Sequence, residues 1–379
     1  MKPRMSAVLL ALIAVGCAGD EAAEQAGAKA DEARVLNVYN WSDYIGEDTI
    51  ANFEKETGIK VVYDVFDSNE MLEGKLMAGN TGYDIVVPSL TFLARQVQAG
   101  VFLELDKSRF SHYGNLDPAI LAELARNDPG NAHSIPYLWG TTGIGYNVDK
   151  VREALGEDAP VDSWALVFEA ENLAKLKACG VAFLDTPSEI IPPVLQYLGE
   201  DPNSFDPEVI QKAADRLLEL RPHITYFHSS QFINDLANGD ICVAVGWSGD
   251  IIQAQARAAE AAENNPGEPA VEVAYSIPRD GAPMWFDMLA IPKDARNVDN
   301  AYLFLDYLMR PDVMAGIQNY VMYASANSAA LPMVDEAVLN DPGIYPSPET
   351  QAKLYTLAVL PPEVDRLFNR HWTAIKTGK

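Results

Sequence analysis

Three stretches of this chain place aromatic rings beside a carboxylate. Trp41 and Tyr44 bracket Asp43, Trp247 lies just before Asp250, and Trp285 and Phe286 precede Asp287. A ring face attracts an ammonium group and the methylenes attached to it, while a carboxylate fixes the nitrogen through charge-assisted hydrogen bonds. Taken singly each pair is ordinary, because Trp is commonly core and Asp commonly a cap. Together they describe a slot for an organic cation. The overall charge agrees: 54 acidic against 28 basic side chains give −26, a field that concentrates cations and excludes ordinary phosphate-backbone binding.

Enzyme signatures are largely missing. There is no phosphate-loop lysine after the glycine-rich Gly140 to Asn147, and no His-Glu-x-x-His. The run Gly246-Trp247-Ser248-Gly249-Asp250 has Asp where a nucleophile elbow needs its last glycine. His112, His133, His223, His228 and His371 have no metal-ligand spacing, so neither a metal nor another cofactor is expected.

The elements that must hold the clusters alternate strand and helix. Val35 to Tyr39 is a β-branched run, and Asp48 to Thr57 carries helical spacing and stops at Gly58. Ile59 to Phe66 is a second strand. Ser68 caps a helix running to Ala78, Tyr83 to Val87 is a buried-type strand, and Phe92 to Ala99 is a helix before Gly100. This βαβαβ order predicts a mostly parallel sheet, which binds ligands at the carboxyl ends of its strands. Asn40 to Tyr44 and Pro88-Ser89 sit there. Gly140 to Asn147 is read as a crossover between lobes, Ile241 to Val245 as a strand leading through Trp247 into a helix, and Val271 to Ile277 and Met284 to Ile291 as strands around the turn Pro278 to Gly281.

The amino terminus reads as a targeting segment. Lys2 and Arg4 precede an apolar run, Ala7 to Val15, too short to span a bilayer, and Ala14-Val15-Gly16-Cys17 resembles a lipobox. Residues 1–17 are therefore expected to be a signal peptide with a lipidation site at Cys17, and 18–33 a flexible tether. The alternative is a signal peptide with an incidental cysteine. An exported protein meets oxidising conditions, and the remaining pair, Cys179 and Cys242, favours a disulfide over two buried thiols.

From Arg34 to Lys379 the chain resembles the polyamine-binding proteins of bacterial ABC importers, most closely their putrescine-binding branch. The likeness lies in long strings: Val38 to Tyr44, Asp67-Ser68-Asn69, Leu76 to Gly79, Gly140 to Asn147, Phe227 to Cys242 and Tyr323 to Asn327. It implies a two-lobed α/β type II periplasmic-binding fold, each lobe a mostly parallel sheet flanked by helices, closing by hinge motion on a cleft. It also implies a disulfide at Cys179 and Cys242. The expected boundaries are 34–143 and 280–323 for the first lobe and 144–279 and 324–379 for the second.

Position by position, Trp41, Ser42, Asp43, Tyr44 and Ser89 match the family's first-lobe ligand set. Glu189, Trp247 and Asp250 match the second-lobe set, and Trp285, Asp287 and Tyr323 complete it. The expectation is that Asp43, Asp250, Asp287 and Glu189 bind ammonium ends while Trp41, Trp247, Trp285 and Tyr323 pack on the carbon chain. Asp250 is the putrescine-type choice, whereas Trp285 stands where that type has Phe and the spermidine type has Trp. Putrescine is the expected ligand, with cadaverine, spermidine or broad polyamine binding as alternatives, an ABC permease as partner and a monomer as the expected state. A receptor for another solute shares this fold, and a hydrolase using paired carboxylates is a further rival.

Overall fold

The computed structural model describes residues 34–267 and 269–378. The expected signal peptide, Cys17 and tether lie outside these residues. The chain from Arg34 onward clusters as a single unit.

The first β-branched run forms β1 (Val35–Trp41), which pairs in parallel with β2 (Lys60–Phe66) and with β3 (Ile85–Val86). The intervening helices end where the sequence places its breakers: Thr49–Thr57 stops at Gly58, which is left-handed at φ 71°, and Asn69–Ala78 begins at Ser68, whose hydroxyl accepts from the Met71 amide. Parallel pairing puts the carboxyl ends of these strands on one edge. Trp41 is opposite Phe66 in the register, with ring centroids 4.5 Å apart.

The glycine-rich segment is part of a strand that crosses between the two parallel groups. It is part of β4 (Ser134–Asn147), whose first half runs antiparallel to β9 (Ala282–Ala290) and whose second half runs antiparallel to β7 (Val243–Trp247) and β8 (Val273–Ser276). Glycine serves close approach here: a Cβ on Gly140 would lie 2.9 Å from the Trp285 ring. The second parallel group is β7, β5 (Val181–Phe183) and β6 (Tyr226–Phe227). β10 (Ala324–Ser325) pairs with β4 and β11 (Leu354–Thr356) with β9. The sheet is thus mixed, its parallel groups joined by the antiparallel crossing strands.

Each lobe has its own core. Leu36, Val38, Phe53, Leu93, Leu289 and Ile317 belong to the first, and Trp164, Phe168, Phe183, Val194, Leu217 and Trp372 to the second. The end of the chain divides between the two cores. Ala324, Val334, Val338 and Ile344 remain in the first core because β10 is paired to the first half of β4, and only residues such as Val364 and Phe368 pack in the second. Within the second lobe Cys179 and Cys242 form a disulfide with Cα atoms 5.4 Å apart. No helix among the described residues is long and apolar enough to cross a membrane.

Candidate functional site

The aromatic-carboxylate stretches meet in one cleft, two of them at the ends of strands and the third within β9. Trp41 ends β1, Ser89 precedes the helix Leu90–Gln98 after β3, Trp247 ends β7, and Asp250 lies in the first turn of the helix Ser248–Asn264. Trp285 and Asp287 come from β9, Tyr323 directly precedes β10, and Glu189 lies in the first turn of the helix Pro187–Tyr197. Together with Ser42 and Tyr44 they line a cleft of about 410 Å³, counted to its mouth.

Three of the four acids lining this cleft are almost fully enclosed, Asp250 and Asp287 each 4% exposed and Glu189 5%. Each is held by a hydroxyl. Ser89 Oγ donates to Asp287 Oδ1 at 2.6 Å, Tyr323 Oη to Asp250 Oδ1 at 2.7 Å, and Thr142 Oγ1 to Glu189 Oε2 at 2.7 Å. Burial disfavours the charged form. It pushes the Asp250 carboxyl up to about 8, against the opposing bond from Tyr323. Asp287 is pushed up to about 7, against Ser89 and Tyr44. Burial likewise raises Glu189 to about 7; Thr142 opposes this, and the negative charges of Asp287 and Glu70 add to it.

Rings form the walls. Trp41 meets Trp247 edge-on at 5.4 Å, and Tyr323 packs against Tyr44 at 5.1 Å and Trp285 at 5.4 Å. Trp41 Nε1 is anchored on the Val87 carbonyl at 2.9 Å, so its ring cannot swing freely. The Tyr44 hydroxyl and Trp285 Nε1 are buried without a well-formed hydrogen bond. The Tyr44 hydroxyl oxygen can accept from a ligand N–H beside the three acids, whereas the Trp285 indole N–H can only donate. The arrangement suits a flexible dication: aromatic faces along its methylenes and acids at its ends.

Asp43 is the expected residue that does not line the cleft. At φ 53° its backbone is left-handed, and its carboxylate accepts from Arg257 Nη2 at 2.7 Å on the Ser248–Asn264 helix. Phe66, Asp67, Ser229 and Ser230 line the cleft without having been assigned a role from sequence. Asp67 belongs to one of the recognised strings and accepts from Ser42 Oγ at 3.0 Å; Ser229 and Ser230 belong to another, Phe227 to Cys242. Asn69 supports the site from behind, donating to Ser89 Oγ and accepting from the Ser89 amide, both at 2.9 Å. A second chamber of about 910 Å³ adjoins the slot and shares Ser89, Glu189 and Trp285 with it. No group of His, Cys, Asp and Glu among the described residues could hold a metal ion.

Comparison with known proteins agrees with this geometry. Residues 48–346 match the model of the bacterial extracellular solute-binding protein family. The chain is 58% identical over 363 residues to the putrescine-binding periplasmic protein PotF of Escherichia coli, covering 96% of each. It is 53% identical over 379 residues to the putrescine-binding periplasmic protein SpuD of Pseudomonas aeruginosa, covering all of both. Among solved structures, the spermidine/putrescine ABC transporter substrate-binding protein PotD of Streptococcus pneumoniae superposes with a TM-score of 0.69 at 29% identity, over 91% of this chain and 99% of that one. The chain therefore belongs to the bacterial extracellular solute-binding protein family.

Proposed function

We propose that this protein is the periplasmic receptor of an ABC importer, capturing putrescine between its lobes and delivering it to the permease. The observation that carries the reading is the set of three buried carboxylates, each held by a hydroxyl and walled by aromatic rings, in a cleft between two cores. The names of the relatives PotF and SpuD support putrescine as the cargo. Asp250, Asp287 and Glu189 take the ammonium ends and Trp41, Trp247, Trp285 and Tyr323 pack on the methylenes, while Ser42, Tyr44 and Ser89 orient the acids. Asp43 acts through its ion pair with Arg257. The first lobe comprises 34–141 and 282–344, and the second holds most of the remainder. The protein is monomeric, is tethered or freed at the residue-17 end of its leader, and performs no turnover.

A triamine is the second reading, favoured by Trp285 and by the adjoining chamber that opens past Ser89 and Glu189. Calorimetric titration with putrescine, spermidine and maltose separates the readings. Micromolar or tighter one-to-one binding of putrescine, with unchanged diamine recovered, supports the receptor. Preference for spermidine moves the assignment to the triamine, and binding of maltose alone ends the cation reading.

A further inference from the structure

One partly buried acid beside the cleft has no part in the ligand assignment. Glu70 is the second residue of the helix Asn69–Ala78, whose Leu72 and Leu76 pack in the first core. Its carboxylate accepts from Ser188 Oγ at 3.0 Å and from Thr186 Oγ1 at 3.3 and 3.4 Å. Those hydroxyls sit at the start of the helix Pro187–Tyr197, whose Ile190, Ile191 and Val194 pack in the second core. Two helix amino termini on opposite lobes therefore share one carboxylate, a placement that each helix dipole favours.

The neighbours of this junction are binding residues. Asn69, before Glu70, holds Ser89, which holds Asp287. Glu189 directly follows Ser188. With Asp250 and Asp287 4% exposed, a ligand enters only after the lobes part, and no strand pairing ties these two helices to each other across the cleft. Opening therefore breaks the Glu70 contacts and removes the support that fixes the first turn bearing Glu189.

We propose that Glu70 is a positioning residue for ligand binding: by clamping Thr186 and Ser188 it holds Glu189 at the cation and slows reopening of the cleft. The proposal rests on the polyamine-receptor reading. Its signature is kinetic, because the contact forms on closure and so governs dissociation more than encounter.

The test measures putrescine association and dissociation rates, and the unliganded Tm, for wild type, Glu70→Ala, Glu70→Gln, the pair Thr186→Ala/Ser188→Ala, and all three alanine changes combined. Glu70→Ala and the hydroxyl pair are each expected to dissociate putrescine about tenfold faster with association unchanged, the combined variant no faster than either. Glu70→Gln, which keeps an acceptor oxygen, stays within about threefold of wild type, and the unliganded Tm is unmoved. Wild-type dissociation rates in the alanine variants, losses that multiply in the combined variant, or slower association alone would overturn the proposal while leaving the receptor reading intact. A wild-type protein that binds no polyamine overturns both.

Discussion

Asp287 is buried with only a serine hydroxyl and a nearby phenol to stabilise its charge, so an ammonium is its natural counter-ion. Asp287→Asn is expected to weaken putrescine by about 2–5 kcal/mol, the cost of leaving a desolvated cation without its partner; an unchanged dissociation constant in calorimetry removes Asp287 from the site. The three raised carboxyls also predict proton linkage. Values of about 8 for Asp250 and about 7 for Asp287 and Glu189 lie above the ordinary carboxyl range. Between roughly pH 4 and those values the empty folded protein holds protons that the unfolded chain has released, so these groups make its stability fall as pH rises through that window. A bound dication favours the ionised acids. Binding should release protons near pH 7, tighten from pH 6 to pH 8.5, and raise Tm more at the higher pH. Titration in two buffers of different ionisation enthalpy measures the release, and proton uptake contradicts it.

At the level of elements, the start of the Ser248–Asn264 helix has to come close to the first lobe. Gly249 makes that possible, since a Cβ there would lie 2.4 Å from the Tyr323 ring. Gly249→Ala should push Tyr323 away from Asp250, weakening putrescine at least tenfold and lowering Tm by an overpacking cost of about 1–3 kcal/mol. Wild-type affinity would mean that the Tyr323–Asp250 bond is not part of recognition. The disulfide behaves differently. It closes a 63-residue separation, for which chain entropy gives about 4 kcal/mol of stabilisation. Cys179→Ala/Cys242→Ala should lose a large part of that in denaturant unfolding yet bind putrescine within about twofold of wild type, because Cys242 enters β7 at the end opposite Trp247.

Across the whole molecule, long-range charge and lobe contacts act on different steps. A net charge of −26 draws cations to the cleft, and its reach shrinks from about 10 Å at 0.1 M salt to about 3 Å at 1 M. Stopped-flow association with putrescine should slow with salt while dissociation barely changes. A salt effect confined to dissociation would place the electrostatics in the buried contacts instead. Besides Glu70, two ion pairs join residues of opposite cores: Asp43 with Arg257 at 2.7 Å and Arg95 with Asp365 at 3.0 Å. The first is exposed enough that it contributes as a guide to geometry more than as a source of affinity.

Much of this was legible in the residues themselves. The alternation of strand and helix and the caps at Ser68 and Gly58 follow from local rules, while the disulfide follows from the count of two cysteines beyond Cys17 in an exported chain. The positions of Trp41 and Trp247 at the cleft follow from the habit of parallel strands to present one common edge, whereas Trp285 and Asp287 reach it from within the antiparallel strand β9. What the sequence could not reveal depends on pairing between distant segments. Gly140 to Asn147 belongs to the long strand β4, and its glycines admit the close approach of the Trp285 ring, which glycine content alone does not reveal. The packing of Ala324 in the first core depends on β10 pairing with β4, and the outward carboxylate of Asp43 on a left-handed residue meeting Arg257 more than two hundred positions away. Residue types determined which chemistry was available, an aromatic and acidic site for a cation. Only the tertiary structure decided which acids share the slot and how strongly they hold their protons, because desolvation is set by what packs around a group and not by its neighbours in sequence.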